Sequence, residues 1–302
     1  MGIRMNLLIR FLFKVLLVFM KNKNLRTTTN YFIISLSLAD LLVGCISIPF
    51  LTYRTISNNL WPFSHLSCDV IQAFSLFSIK TSVFNLVMMS VDRFTCITKP
   101  LVSRVYRTKN NTITVIIMFW IISIIINFSL VMGWTQKDGL RDQYEKYVYC
   151  HVQYTEDISL TILTVVLGYF LPVIIMCFLY FIIWRHVGKR RRKMSSYRAG
   201  QDNSTETKRN KRCMNTQKAT RTIAIIVVVF IVTCLPNTIM LLVFMVSRRT
   251  SKELMMMHTV GKGLMCFNST LNPFCYALGN PAFRASLRSL FSGKILNTFL
   301  YN

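Results

Sequence analysis

The charged side chains that could do chemistry lie in or beside long apolar runs. Asp92 and Arg93, an adjacent pair of opposite charges, end one such run in the segment SVDRFTCITKPL. Asp40 lies within another, in SLSLADLLVG. A charge among apolar groups is costly unless it is paired or solvated, so both positions are candidates for function. The elements that carry them decide what that function is.

Those elements are hydrophobic segments long enough to cross a membrane. The chain has 302 residues, of which 53% are hydrophobic, and a formal net charge of +25. A helix needs about 20 apolar residues to span a bilayer. Such stretches occur at about 31–53, 68–92, 113–134, 158–184, 222–246 and 257–278, after a shorter stretch at about 6–20. We number them as the first to seventh spans, starting with 6–20, and predict an all-α membrane bundle.

The basic residues fix the expected orientation of the bundle. Lys and Arg concentrate in alternate loops, above all between the fifth and sixth spans, at about 185–221. Basic loops stay on the cytoplasmic side, which places the N-terminus outside and the C-terminus inside a multi-pass membrane protein. Because the basic residues follow this topology, we expect a lipid membrane and no nucleic acid as their partner. The first span is short and contains Lys14, and we interpret it as a shortened or truncated first helix rather than a signal peptide.

The cysteines fit this topology. Of nine cysteines, only Cys68 and Cys150 are predicted to lie at the outer face, where disulfides persist. The sequence therefore predicts a bridge from the start of the third span to the loop before the fifth.

The position of Asp92 follows from the same helix. From Cys68 to Asp92 the chain advances 24 residues, or about 36 Å of helix, which is enough to reach the inner face. Taken alone, the Asp92–Arg93 pair is more typical of a boundary anchor among lipid headgroups than of a switch.

The pair is part of an ordered set of motifs. The segments NYFIISLSLADLLVG, WPF, NLVMMSVDRFTCITKPL and NSTLNPFCYAL occur in this order, with Trp120 in the fourth span, Pro172 in the fifth and Pro236 in the sixth. Together they resemble the class A (rhodopsin-like) G-protein-coupled receptors, and most of all the muscarinic, histamine and other aminergic receptors. The resemblance covers about residues 24–291.

The resemblance implies a switch at the inner ends of the spans. Asp92 would restrain Arg93, which on activation would reach Tyr180 and a heterotrimeric G protein. Where many aminergic receptors have an acidic second restraint, this chain has Thr216, so we expect that restraint to be missing. The other positions that match coupling and switch residues are Leu101, Pro236, Asn272, Pro273 and Tyr276, and Pro172, Val83 and Phe230 match a packing switch.

The resemblance also implies a sodium site. Asp40, Ser82, Asn268 and Asn272 match the family's sodium pocket, and oxygen ligands suit a hard cation. The alternative is a hydrogen-bonded polar network without an ion, because buried polar groups must be satisfied in any case. Sodium is the one ion expected, as an allosteric ligand, and no other cofactor is.

The ligand pocket departs from the aminergic pattern. Ser75 stands where those receptors have an aspartate that pairs with the amine, and Cys234 stands where they have a tryptophan. Lys80 and Lys262 add positive charge, so a simple amine ligand is not expected. The candidate ligand-binding residues are Ser75, Thr164, Asn237, Lys262 and Cys266.

The sequence thus predicts a seven-transmembrane receptor of the plasma membrane, with a short amphipathic eighth helix at about 281–291. Its partners would be a G protein and an unidentified extracellular small molecule. No enzymatic constellation occurs, since the four histidines are scattered over loops and span ends. The alternatives are a receptor fold without a ligand, acting as a constitutive or dimerising partner, and a transporter or channel, for which internal repeats are expected and not seen.

Overall fold

The computed structural model describes most of the chain between the second and seventh spans. The described residues are 27–58, 60–135, 148–150, 164–197, 223–243 and 252–279, with the single positions Phe13, Leu16 and Ile162. The remainder of the first span, the predicted amphipathic helix at 281–291 and Thr216 lie outside them.

Each described span is a helix. The second runs from Thr28 to Leu42, continues through a π-helical turn at Val43–Ser47 and ends as Ile48–Ile56. The third is His65–Thr98, followed by a short helix, Pro100–Tyr106. The other helices are Lys109–Thr135 (fourth span), Val166–Phe170 (a π-helical turn) with Leu171–Tyr197 (fifth), Ile223–Val243 (sixth) and Lys252–Gly279 (seventh). The expectation of an all-α bundle is confirmed.

The fifth helix extends further than its apolar stretch. Residues 185–197, which we assigned to the basic inner loop, are still helical. Arg and Lys are good helix formers, so the helix can continue past its apolar segment.

Local signals set where the helices begin. The Thr27 hydroxyl accepts a hydrogen bond from the Asn30 backbone N–H at 3.4 Å, and Ser64 does the same for Ser67 at 3.3 Å. These caps satisfy amide groups that have no partner in the first helical turn. Pro100 occupies the start of the short helix, where a missing N–H costs nothing.

The third span is the central helix, and its neighbours face outwards with apolar side chains. The core around it includes Leu36, Leu86, Met89, Met176 and Phe230. Only 17% of the fourth span's most apolar window and 22% of the fifth's are buried in the protein. Exposed isoleucines and phenylalanines on these helices are what a helix in contact with lipid requires. By length and composition, five of the described helices could cross a membrane.

A small cap closes the bundle where the third span begins. Leu60–Trp61 pairs with Val148–Tyr149 as two antiparallel strands, and a disulfide joins Cys68 to Cys150. Trp61 is buried here, packs edge-on against Phe50 at 5.4 Å, and donates its indole N–H to the Ser67 hydroxyl at 2.9 Å. We call this the Cys68 end of the bundle, and the opposite end the Asp92 end.

Candidate functional site

The Asp92 carboxylate is the centre of a charged cluster at the Asp92 end. The neighbouring Arg93 donates its Nη2 to Oδ2 of Asp92 at 3.1 Å. Arg107 donates Nε to Oδ1 at 2.7 Å and Nη2 to Oδ2 at 3.2 Å. The Thr29 hydroxyl donates to Oδ2 at 3.0 Å and accepts from Arg107 Nη2 at 2.9 Å. The carboxylate therefore accepts bonds from three side chains on different elements.

The charged pair at the centre of this cluster is buried. The side chains of Asp92 and Arg93 are only 5% and 8% exposed. A boundary anchor would leave its charges open to lipid headgroups, whereas a buried pair has lost its hydration and depends on its partners. The arrangement therefore fits a restrained arginine better than an anchor.

Two members of the cluster were not among the residues that we singled out for the switch. Arg107 follows the short helix Pro100–Tyr106, and Thr29 lies in the first turn of the second span. They lie 15 and 63 residues from Asp92. Our expectation that Thr216 provides no second restraint stays a prediction, because Thr216 lies outside the described residues. On the described elements, the second restraint acts on Asp92 and comes from Arg107 and Thr29.

Arg93 and the other residues that match coupling positions differ in their exposure to solvent. Nε of Arg93 has no hydrogen-bond partner in the described part of the chain. The Tyr180 hydroxyl is buried beside Ser90 and Arg93. Leu101 is 76% exposed on the short helix, free to contact a partner. Pro273 and Tyr276 fall in the seventh helix, and their side chains are outside the described set.

Midway along the bundle, Asp40 is fully buried and is held by two neighbouring spans. Ser82 donates its hydroxyl to Oδ1 at 3.1 Å, and Asn272 donates Nδ2 to Oδ2 at 3.0 Å. Ser269 lies beside the same carboxylate. The amide oxygens of Asn268 and Asn272 are buried and have no partner within the described ranges. The structure thus brings three of the four predicted sodium ligands into contact and leaves uncommitted oxygens among these residues.

The residue at the position of the aminergic tryptophan, Cys234, lies in the core of the bundle. Cys234 is buried in the same cluster as Val83, Phe230, Tyr169 and Met265. The Tyr169 hydroxyl donates to the Met265 sulfur at 3.1 Å and so links the fifth span to the seventh. We did not predict these two residues, because each alone has the appearance of ordinary core packing. Val83 and Phe230 of the predicted packing switch share this core. Pro172, the third residue of that switch, is buried on the fifth span.

The five candidate ligand residues differ in burial and in hydrogen bonding. Asn237 is buried, directs Nδ2 towards the Met265 sulfur at 3.8 Å and leaves its amide oxygen without a described partner. Thr164 and Cys266 are buried, and Lys262 is half-buried. Ser75 instead donates its hydroxyl to the Ile71 backbone carbonyl at 2.9 Å. This internal bond makes Ser75 the least available of the five for a ligand.

The sixth and seventh spans approach closely beside these residues. A Cβ added at Gly261 would lie 2.9 Å from the Asn237 Cα atom. The glycine therefore lets the two backbones meet, and it fixes where Lys262 is placed relative to Asn237.

Comparisons with known proteins agree with this arrangement. Residues 13–276 match the family described as 7 transmembrane receptor (rhodopsin family). A histamine H2 receptor of Rattus norvegicus is 30% identical over 277 residues, which are 90% of this chain and 73% of that receptor. A muscarinic acetylcholine receptor of Drosophila melanogaster is 34% identical over 193 residues, 64% of this chain. A muscarinic acetylcholine receptor M3 of Pongo pygmaeus is 33% identical over 193 residues.

The shared length differs among these relatives. The match covers 24% of the Drosophila receptor and 32% of the Pongo receptor. The chain therefore spans less than a third of the muscarinic receptors and most of the histamine receptor.

Proposed function

This chain belongs to the rhodopsin family of seven-transmembrane receptors, and from that premise we propose that it passes the binding of an extracellular small molecule to a heterotrimeric G protein. The observation that carries the proposal is the buried arginine at the Asp92 end. Arg93 is held by Asp92, which is itself held by Arg107 and Thr29, while Leu101 is exposed on the adjoining helix.

The mechanism is a shift between two conformations. In one, Asp92 neutralises Arg93; in the other, Arg93 leaves the pair and its guanidinium turns towards Tyr180 and the G protein. Arginine suits this role because it stays charged and offers five donors in a fixed geometry. A ligand favours the second conformation only by as much as it binds that conformation more tightly. Pro236 interrupts the hydrogen bonding of the sixth helix, which gives that helix a place to bend.

The same proposal assigns sides to the bundle. The Cys68 end would face outwards, because a disulfide persists in an oxidising compartment. The Asp92 end would face the cytoplasm, where the basic loops and the G protein lie. The receptor would then work in the plasma membrane with its C-terminus inside.

Sodium is proposed as an allosteric ligand at Asp40. The residues fit the ion, because the site offers a buried carboxylate, a hydroxyl and amide oxygens that lack partners. Asp40, Ser82, Asn268 and Asn272 would hold it, and the ion would offset the buried negative charge. Raising sodium against choline at constant ionic strength should stabilise the purified receptor, and Asp40→Asn should abolish the effect. An equal effect of the two cations on the wild type would contradict the site.

The amines that activate the aminergic receptors are not expected to activate this chain. Ser75 offers a hydroxyl that is already bonded to its own helix, so an ammonium would be desolvated without a counter-charge, at a cost of about 3–5 kcal/mol. Acetylcholine, histamine, dopamine and serotonin should therefore leave the receptor inactive at micromolar concentrations. Saturable activation by any of them would show that another group pairs with the amine.

Second-messenger signalling in cells tests the proposal as a whole. Cells that carry the chain at their surface should differ in cyclic AMP, calcium or inositol phosphate from mock-transfected cells, with Arg93→Ala reducing the difference to background. Lys109→Ala, at an exposed lysine of the same end, is the matched control and should leave the response intact. Equal signalling by the Arg93→Ala receptor at equal surface density would refute the role of Arg93.

A further inference from the structure

Lys80 is a buried cation in the interior of the bundle. It is 7% exposed and lies two residues before Ser82, towards the Cys68 end. Its ammonium makes no hydrogen bond or ion pair with any residue in the described ranges, in contrast to Arg93 and Arg107. A buried charge without a partner costs several kcal/mol. A negative group from outside the chain would offset that cost.

Lys80 has no negative group among its described neighbours. Its stem lies along Gly168 of the fifth span, where an added Cβ would be 3.6 Å from the Lys80 Cε atom. That distance is an ordinary contact, so the neighbouring backbone does not crowd the side chain. Of the carboxylates in the described ranges, Asp40 accepts from Ser82 and Asn272, and Asp69 has a partner of its own, so neither is free to pair with Lys80.

Two more cations, Lys262 and Arg54, lie nearer the Cys68 end than Lys80. Lys262 is half-buried on the seventh span and makes no ion pair with a described residue. It lies close enough to Arg54 for the two positive charges to repel each other. Asn272 and Ser82 lie at the same depth in the bundle, because both bond to Asp40. Lys262 lies ten residues before Asn272 on its helix, and Lys80 lies two residues before Ser82 on its own. At about 1.5 Å per residue, the two lysines differ in depth by about 12 Å.

We propose that the ligand of this receptor is an organic anion, a carboxylate or phosphate ester whose charged group pairs with the Lys80 ammonium. The inference rests on the proposed function, because it names the ligand class of that same receptor. Arg54 and Lys262 attract the anion at the entrance, and Lys80 binds its charged group at the bottom. Asn237, with its unbonded amide oxygen, offers an acceptor to the rest of the molecule.

Thermal unfolding of the purified receptor tests the ligand class without any G protein. The probes are phenylacetate, suberate, succinate and phenyl phosphate at millimolar concentration, compared with neutral phenylacetamide and cationic phenethylamine. A bound anion stabilises the folded state by mass action, and we expect at least one anion to raise the melting temperature by about 2–4 °C. The neutral and cationic analogues should not. The carboxylates and the phosphate are separate arms, so the preferred anion is read directly.

Three variants assign the effect to Lys80. Lys80→Met removes the uncompensated charge, so it should raise the melting temperature of the ligand-free receptor and abolish the shift with anions. Gly168→Asp supplies a carboxylate beside Lys80, so it should likewise stabilise the ligand-free receptor and remove the anion response. Lys109→Met, at an exposed lysine, should change neither quantity.

The possible outcomes separate this inference from the proposed function. Stabilisation by anions that is lost in Lys80→Met and Gly168→Asp supports it, even if the receptor activates no G protein. Absence of anion-specific stabilisation across the panel overturns it. So does a shift that persists in both variants, since the anion would then bind away from Lys80. If Lys80→Met does not fold, Gly168→Asp alone decides between these results.

Discussion

Neutralising Asp92 should activate the receptor without a ligand. Asp92→Asn keeps the size of the side chain but removes the charge that holds both Arg93 and Arg107. The two guanidiniums are close enough to repel each other once the carboxylate is gone. The free energy of the Arg93 side chain is then lower outside the cluster than within it.

The magnitude follows from the burial of the cluster. Breaking a buried ion pair by removing one partner costs about 3–5 kcal/mol. Only the part of this energy that is present in the restrained conformation and absent from the active one shifts the equilibrium. If about a third to a half of it differs between the two, the shift is about 1–2.5 kcal/mol, or roughly five- to sixtyfold in the ratio of active to inactive receptor.

The cluster geometry predicts an order among its members. Thr29→Val removes one neutral donor to Asp92, and Arg107→Ala removes two charge-assisted bonds, so ligand-independent signalling should rise least in the first and further in the second. Asp92→Asn should give the largest rise. The assay is second-messenger production per receptor at the cell surface, because each change could also alter folding. Basal signalling that is unchanged in all three variants at normal surface density would refute the restraint of Arg93 by this cluster. The cluster would then have a structural role only.

Three further predictions concern the Cys68 end and the contact between the sixth and seventh spans. Cys150→Ser should lower surface expression, because it removes the disulfide to Cys68, and labelling of both wild-type thiols from outside the cell would disprove the bridge. Gly261→Ala should destabilise the receptor by about 1–3 kcal/mol through overpacking against the Asn237 backbone, measured as a lower melting temperature. Gly263→Ala, where nothing lies within 4 Å of an added Cβ, should be neutral or slightly stabilising, and equal melting temperatures of the two variants would contradict the close approach.

The bundle itself was predictable because apolar length is a local property. A run of about 20 apolar residues specifies a membrane helix wherever it occurs, and the described helices contain the predicted stretches 31–53, 68–92, 113–134 and 257–278. Their ends were less predictable, as the fifth helix shows, because basic residues such as Lys189 continue a helix beyond the bilayer.

The contacts within the site were harder to predict. Arg107 and Thr29 meet Asp92 only because the short helix after the third span turns back towards the second. Neither residue differs in type from many others in the basic loops and helix ends. Tyr169 and Met265 were missed for a similar reason: a phenol and a thioether in apolar helices indicate core packing until the fold brings them within 3.1 Å. Sequence motifs identify which helix carries a charge, whereas the partner of that charge is set by tertiary structure.

The most direct test is nucleotide exchange on purified heterotrimeric G proteins, measured with membranes that contain the Asp92→Asn receptor. This variant needs no ligand, so the identity of the ligand does not enter. We predict GTP analogue binding well above that of mock membranes for Asp92→Asn, and binding at the mock level when Arg93→Ala is added at equal receptor density. Exchange that is as fast in the double variant as in Asp92→Asn, or no exchange from Asp92→Asn with any G-protein subtype, would contradict the claim that Arg93 is the group the receptor releases to its G protein.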